Sequence, residues 1–355
     1  MTNISYLLEF IIKMPPFIKR SGVIVANIFL FLIVVAVTIS CSEVFLRWYY
    51  RDVLSSATGV DYFHNRSYHL FAKEKNVFNL RGKTFKAGKH HLLRVVIMGD
   101  SFTYGQGVYP YEKRYTEQME LLFKKEHPDL DVEFINVGIC GMDLLGYNNK
   151  IVNFVAALHP DFVLYQWYVN DMEITRDWLQ LRIPQIISNN TVHRFFIENS
   201  VLYFILQRGW SQIRAMSGQQ LDYTEYLVKR FSDPENKYSI AAKKELDKLF
   251  ETLDRRNIPH GIVLFPDFNT KKDKYRLAFL HEQVHKVCKE HHVDYLDLTK
   301  TYSKYDDNIE ELWANIFDHH PSALAHRIAA EKIVDFFGNK WQQMALKNAN
   351  LKNKE

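Results

Sequence analysis

The sequence has few cysteines and no concentrated run of positive charge, and each shortage excludes a class of protein. Its three cysteines, Cys41, Cys140 and Cys288, are odd in number and far apart, so no disulfide framework is implied. Lysine and arginine are scattered, and the formal net charge is only +4. Because a nucleic-acid surface needs a concentrated basic stripe, we expect no nucleic-acid partner.

Internal repeats and low-complexity segments are also missing, whereas apolar residues are plentiful. The 355 residues are 47% hydrophobic and 14% aromatic. This length allows one large domain or two ordinary ones, and the composition supplies ample material for a packed core.

One apolar run near the amino terminus is long enough to cross a membrane. In residues 22–42, Asn27 is the only strongly polar side chain, and a helix of this length spans a hydrocarbon core. The run is too long for a typical signal-peptide core and has no A-x-A cleavage site. A buried core helix is the alternative. We predict an uncleaved signal anchor at 22–42, preceded by a cytoplasmic segment at 1–21.

The flanking charges give the anchor an orientation. Three basic residues precede it and two follow it, which favours a cytoplasmic amino terminus and an extracytoplasmic (periplasmic or extracellular) domain. The aromatic residues 48–50 suit a membrane interface. Residues Thr38–Cys41 loosely resemble a bacterial lipobox and leave lipidation of Cys41 open, but Thr38 fits poorly and the position is deep in the chain.

The rest of the chain alternates between apolar strand patterns and amphipathic helix patterns. This alternation predicts an α/β fold, a three-layer, doubly wound, parallel five-stranded sheet. The predicted strands are Leu93–Met98, Val132–Val137, Phe162–Gln166, Ile258–Phe265 and Val293–Leu298. The predicted helices are about Tyr111–His127, Asp143–Leu158, Ile240–Arg256, Tyr275–His291 and Pro321–Met344.

This alternation also divides the chain. Residues 43–92 read as a linker and the approach to the first strand, and 93–346 as the main domain. Residues 172–237 interrupt the alternation with amphipathic helix patterns. They follow the carboxyl end of a strand, so we expect a helical cap insertion over the site. Residues 347–355 form a polar tail.

Four short polar stretches lie at predicted strand ends or helix starts: Gly99–Ser101, Asn136–Gly141, Tyr168–Asp171 and Asp318–Pro321. The first places a serine at the carboxyl end of a central strand, where open α/β sheets hold their sites. Unpaired backbone N–H groups at such a turn favour developing negative charge.

The order and spacing of these stretches resemble the SGNH (GDSL-like) hydrolase family, in a membrane-anchored member. The resemblance covers about residues 93–337, with the cap outside it. It implies a serine hydrolase of the same fold, with Ser101 as nucleophile, Gly141 and Asn170 with the Ser101 N–H as oxyanion hole, and His320 as base. It implies no cofactor and no metal.

The chemistry of the fourth stretch agrees with this assignment. A serine hydroxyl is a poor nucleophile until a base takes its proton, and Asp318 would orient the imidazole of His320. Pro321 suits a first helical position, so we expect His320 at a helix N-cap. The family usually has its acid three positions before the histidine, where Phe317 stands here, so a backbone carbonyl could orient His320 instead.

The remaining histidines offer alternatives. We expect His319 to be a surface or supporting residue and His326 to be a packing or capping residue on the last helix. Residues 281–285 fit the H-E-x-x-H pattern of zinc enzymes, but the apolar stripe of that helix predicts that its histidines lie on a flank or outer face. The sequence shows no clear third ligand.

Together these observations predict a membrane-anchored serine esterase. Residues 43–47 and the domain after them resemble anchored family members linked to envelope or exported polysaccharides. The expected partner is therefore an acylated small molecule or glycan, and an O-acyl group on a glycan is the favoured substrate. An O-acyltransferase using the same residues is the alternative, and a non-catalytic glycan-binding or assembly protein is the third reading.

Overall fold

The computed structural model describes residues 16–51, 74–86, 88, 92–174, 191–217, 223–268, 275–316 and 318–352. The predictions for residues 1–15, for most of the linker, for part of the cap and for Phe317 lie outside these residues.

A long apolar helix, α1 (Pro16–Tyr49), contains the predicted anchor. Its stretch Val23–Tyr49 has 27 residues. The most apolar window in it has a mean hydropathy of 2.8, and none of that window is buried inside the protein. By length and composition it can act as a membrane anchor or as a signal sequence.

A five-stranded parallel sheet forms the centre of the domain, as predicted. Its strand order is β2-β1-β3-β4-β5, and every neighbouring pair is parallel. Each strand coincides with a predicted apolar run or lies within one residue or two of it. The strands are β1 (Leu93–Met98), β2 (Val132–Asn136), β3 (Phe162–Trp167), β4 (His260–Leu264) and β5 (Asp294–Asp297).

Helices cover both faces of the sheet because its side chains alternate between two cores. On one face Val96 and Met98 pack with α4 (Leu144–Gly146), a π-helical turn (Tyr147–Ile151), α5 (Val152–Ala157), α9 (Lys237–Asp254) and α10 (Ala278–Glu290). On the other, Val95 and Ile97 pack with α3 (Tyr115–Glu126) and α11 (Ala323–Lys352). These layers confirm the predicted sandwich.

Three helices lie in the stretch predicted as a cap. They are α6 (Thr191–Asn199), α7 (Val201–Met216) and α8 (Tyr223–Phe231). Shorter elements complete the described chain, namely α2 (Ser101–Tyr104) and 3-10 turns at Tyr111–Lys113, Val169–Met172, Ser303–Tyr305 and Ile309–Leu312.

A small antiparallel hairpin precedes the last helix and corrects one prediction. It pairs β6 (Trp313–Asn315) with β7 (Asp318–Pro321). His320 therefore lies on a strand, and its predicted place at a helix N-cap is wrong. Proline ends the strand, and Ser322 follows it as the capping residue, with its Oγ accepting the Ala325 N–H at 3.2 Å. Helix α11 begins only at Ala323.

The H-E-x-x-H helix corrects a second prediction. His281 is buried rather than on a flank or outer face, because its Nδ1 binds Asp297 Oδ2 at the end of β5 (2.9 Å) and its Nε2 binds the Tyr275 hydroxyl (2.8 Å). His285 Nε2 lies 3.3 Å from the same carboxylate. Within the described ranges, no group of three or more His, Cys, Asp or Glu residues is arranged to hold a metal ion.

Candidate active site

The predicted nucleophile lies at a sharp turn after the central strand. β1 ends at Met98, and Ser101 is the first residue of α2, whose N-cap is Asp100. A Cβ at Gly99 would lie 2.1 Å from Thr103 Oγ1 and 2.3 Å from Gln166 Oε1. Glycine is therefore required here, because any side chain would force the turn apart.

Buried polar side chains from neighbouring elements hold this turn. The hydroxyl of Tyr147 accepts the Gly99 N–H at 3.1 Å. Gln166 Oε1, on β3, accepts both the Asp100 N–H at 3.2 Å and the Thr103 hydroxyl at 2.8 Å. Since these groups are buried, each hydrogen bond fixes the backbone that carries the serine.

The chain that follows the serine is held by Arg81, from the approach to the first strand. Its guanidinium is fully buried and donates to the carbonyl oxygens of Gly105 at 2.6 Å and Val108 at 2.5 Å. Gly105 has φ +77° and closes α2 in the left-handed conformation. Burial and the nearby Arg114 lower the pKa of Arg81, and Glu74 opposes them through an ion pair at 2.6 Å.

Three of the predicted catalytic side chains form one hydrogen-bonded chain. His320 Nε2 lies 2.8 Å from Ser101 Oγ, and His320 Nδ1 lies 2.5 Å from Asp318 Oδ1. The same carboxylate oxygen accepts the backbone N–H of His320 at 3.1 Å. This is the geometry of a serine nucleophile, its base and an orienting acid.

The unusual spacing of acid and base follows from the strand. Side chains two positions apart project from the same face of a β-strand, so Asp318 and His320 on β7 can meet although only one residue separates them. Burial pushes the pKa of Asp318 upward, but the charge of His320 and its two hydrogen bonds outweigh burial and lower it. The carboxylate therefore remains ionised beside the base.

His319 points away from the serine, as its intermediate position on the strand requires. Its ring stacks on Trp313 with 4.1 Å between centroids. Burial, and then the charge of Arg208 on α7, lower its pKa to about 4, so it is neutral near pH 7.

His326 is a packing residue, as expected. It is fully buried on α11, its Nδ1 accepts the Tyr115 N–H at 3.2 Å, and its ring stacks on Tyr115. Burial, followed by the charges of Arg114 and Arg81, lowers its pKa to about 3.

The two further oxyanion candidates lie on loops at the same sheet edge. Asn170 is in the 3-10 turn after β3, and its Nδ2 donates to Asp100 Oδ2 at 2.8 Å. Gly141 lies in the loop after β2 with φ +68°, and the space where a Cβ would project is open. The structure thus links Asn170 to the serine turn through Asp100, while glycine at 141 is required by the backbone conformation.

Asp100 is the site residue that the sequence reasoning missed. It is buried, caps α2 by accepting the Phe102 N–H at 2.9 Å, and orients the Asn170 amide. Burial raises its pKa, against the lowering effect of the Phe102 N–H and the Asn170 amide. Its position between Gly99 and Ser101 was the available signal, because aspartate is a preferred N-cap residue.

The family of the chain follows from a comparison of its sequence with family models. Residues 97–328, more than half of the chain, match the GDSL-like Lipase/Acylhydrolase family. The matched range contains Ser101, Gly141, Asn170, Asp318 and His320. The chain belongs to this family, and it is a serine hydrolase of the SGNH type with esterase or acylhydrolase activity.

Several solved structures are similar in fold. A catalytic mutant of Axe2, an acetylxylan esterase from Geobacillus stearothermophilus, is 17% identical, with 72% of this chain and 98% of that chain covered and a TM-score of 0.44. A lipolytic G-D-S-L family protein from Veillonella parvula is 17% identical, with 69% and 98% covered and a TM-score of 0.41. A comparison with curated proteins gives no match.

The first prediction concerns the base. We expect His320→Ala to lower turnover of a short aryl ester by ~10⁴, because the serine then has no proton acceptor. His319→Ala is the matched control and should leave turnover within a few-fold, since that ring faces Trp313. Asp318→Asn should fall between them. Steady-state kinetics of the three variants checks this, and a larger loss in His319→Ala would contradict the assignment.

The second prediction concerns Asp100. In Asp100→Asn an amide N–H₂ replaces the carboxylate oxygen that faces the Asn170 amide. The Asn170 side chain then rotates away from this second donor and no longer points at the oxyanion. We expect kcat to fall by ~10², the lower end of the range for losing one oxyanion donor. KM should change little. Asp143→Asn is the matched control, because Asp143 is also a buried N-cap residue (of α4) that accepts the Gly146 N–H at 2.7 Å. Equal loss of kcat in both variants would mean that Asp100 acts only through stability.

Proposed function

We propose that this protein is a membrane-anchored esterase that removes an O-acyl group from a glycan outside the cytoplasm, through an acyl-serine intermediate. The observation that carries the proposal is the hydrogen-bonded chain Asp318–His320–Ser101, with 2.5 Å and 2.8 Å between its members. These two hydrogen bonds supply what an acyl transfer to serine needs, which is a nucleophile within reach of an oriented base.

In the first half of the reaction, Ser101 Oγ attacks the ester carbonyl carbon while its proton passes to His320 Nε2. The carbonyl oxygen becomes an oxyanion, which the Ser101 and Gly141 N–H groups and the Asn170 amide stabilise. When the intermediate collapses, the C–O bond to the sugar oxygen breaks. His320 gives its proton to that oxygen, and the deacylated glycan leaves with the acyl group on Ser101.

The second half repeats these steps with water. His320 Nε2 takes a proton from water as its oxygen attacks the acyl carbon, and the same donors hold the second oxyanion. Collapse returns the proton to Ser101 Oγ and releases the carboxylic acid. Asp318 stays ionised throughout and stabilises the imidazolium that forms twice in each cycle.

The cellular setting rests on α1 and on the charges around it. The 27-residue stretch Val23–Tyr49 is long and apolar enough to cross a bilayer, and the basic residues on either side of the predicted span favour a cytoplasmic amino terminus. A catalytic domain on the opposite side meets envelope or exported glycans, whose hydroxyls carry acyl esters. This placement supports a glycan ester over a cytosolic substrate.

The third prediction tests the acyl-serine step. The intact protein should react with a fluorophosphonate, and mass spectrometry of its peptides should place the adduct on Ser101. Ser101→Ala should be unlabelled while keeping its melting temperature. Released acid from an acetylated oligosaccharide should carry ¹⁸O when the reaction is run in H₂¹⁸O, since water is the acceptor. Acyl groups appearing on an added sugar instead would favour the transferase, and an unlabelled Ser101 would remove the mechanism.

The fourth prediction tests the orientation. Alkaline phosphatase fused to the carboxyl terminus should be active, because it folds only outside the cytoplasm. Green fluorescent protein at the same position is the matched control and should be dark when exported in the unfolded state. The reverse pattern would put the catalytic domain in the cytoplasm and exclude envelope glycans as substrates, while leaving the serine chemistry unaffected.

A further inference from the structure

The end of the apolar helix α1 is joined to the predicted cap through the half-buried carboxylate of Glu43. Glu43 accepts hydrogen bonds from the N–H groups of Val201 at 3.0 Å and Leu202 at 2.9 Å and from the Ser200 hydroxyl at 2.9 Å. These donors form the amino-terminal end of α7, where backbone N–H groups lack helical partners and attract negative charge. Glu43 of α1 therefore satisfies the amino-terminal N–H groups of α7, one of the helices of the predicted cap insertion.

A second charge and an apolar contact complete this joint. Arg47 binds Glu43 at 2.7 Å and donates to the carbonyl oxygen of Asn199 at 2.7 Å. Leu46 and Tyr50 pack against Val201 and Phe204 on the adjoining turn of α7. Helix α7 is thus held beside the last two turns of α1.

The length of α1 sets the depth of this joint in a bilayer. The 27 residues of Val23–Tyr49 extend about 40 Å as a helix, against a hydrocarbon core of about 30 Å. The part of the helix that exceeds the hydrocarbon core lies in the interfacial layer. The exposed Trp48 and Tyr49 at the end of the helix are residue types that favour this layer. Because Glu43 and Arg47 lie in those last turns, the amino terminus of α7 lies at the level of the lipid headgroups.

The cap helices present an apolar face at this level. On α6 the exposed residues recur at helical spacing, and on α7 they recur on the side opposite Val201 and Phe204. The ring of Tyr203 joins the two sets, since it lies 5.6 Å from that of Phe196. The exposed apolar residues are Val192, Phe195, Phe196, Leu206, Trp210 and Ile213, each 44–62% exposed.

We propose that this apolar face of α6 and α7 is embedded in the headgroup layer of the membrane that α1 spans, so that these two of the three cap helices form an interfacial helix pair. The inference rests on the membrane anchoring in the proposed function. The occupant is lipid, because α7 is joined to the exposed apolar end of α1, and because apolar and aromatic side chains on one side of a helix are the chemistry that enters this layer.

The experiment uses the full chain in nanodiscs with nitroxide labels. Cys41→Ser and Cys140→Ser remove the exposed thiols, while Cys288 can stay because it is buried, which raises its pKa to about 12. Labels are placed by Leu206→Cys, Trp210→Cys and Ile213→Cys. Val34→Cys is the control within the span, and Lys332→Cys on α11 is the control in water.

The collision rates of each nitroxide with oxygen and with a water-soluble nickel chelate then give the depth of that label in the bilayer. We expect the ratio of oxygen to nickel collisions at the three α7 positions to exceed that at Lys332→Cys severalfold, and to remain below that at Val34→Cys. Ratios on α7 equal to that at Lys332→Cys, with Val34→Cys in lipid, would overturn the interfacial cap alone. A water-exposed Val34→Cys would overturn the anchor as well.

The alternative occupant of the apolar face of α6 and α7 is a second copy of the protein. In that case the α7 labels would show spin–spin broadening that disappears when labelled protein is diluted with unlabelled protein before reconstitution. Broadening of this kind would overturn lipid contact, whereas its absence together with high oxygen access supports it.

Discussion

The turn between β1 and α2 is the constraint on which the site depends. Gly99 leaves no room for a side chain, and the buried hydroxyl of Tyr147 and amide of Gln166 bind the backbone on either side of it. These two residues come from different segments, so the central sheet and a covering helix must both be in place before the turn is fixed. The serine is therefore presented by tertiary structure rather than by its local sequence.

From this turn the site extends across one sheet edge in two directions. Asp100 holds the amide of Asn170 on one side, and His320 approaches Ser101 Oγ on the other. The carboxyl groups of Asp100 and Asp318 have opposite tendencies: burial raises the pKa of Asp100, whereas the contacts with His320 hold the pKa of Asp318 low. Asp100 positions the Asn170 amide as a hydrogen-bond donor, and Asp318 stabilises the imidazolium form of His320.

Much of this arrangement could be predicted from the sequence. The strands were recognisable because continuous apolar runs such as 93–98 are buried on both faces, and the four polar stretches gave the order of the site. The hairpin β6–β7 could not be recognised, because its strands are short and polar. Its strand geometry is nevertheless what lets Asp318 meet His320. Likewise, the sequence around His281 does not indicate that its side chain is buried, because its partner Asp297 lies on a separate element, the strand β5.

The contacts between Glu43 and α7 make the apolar helix α1 part of the architecture of the domain. A helix that only fastens a domain to a bilayer can be exchanged for any other of the same length. Here α1 has a fixed rotational phase, because Glu43, Leu46 and Arg47 must all face α7. One residue inserted before Glu43 would turn that face by about 100° relative to the span. The rotational phase of α1 is thus set by its contacts with α7, so the sequence of its last turns is constrained by the domain as well as by hydropathy.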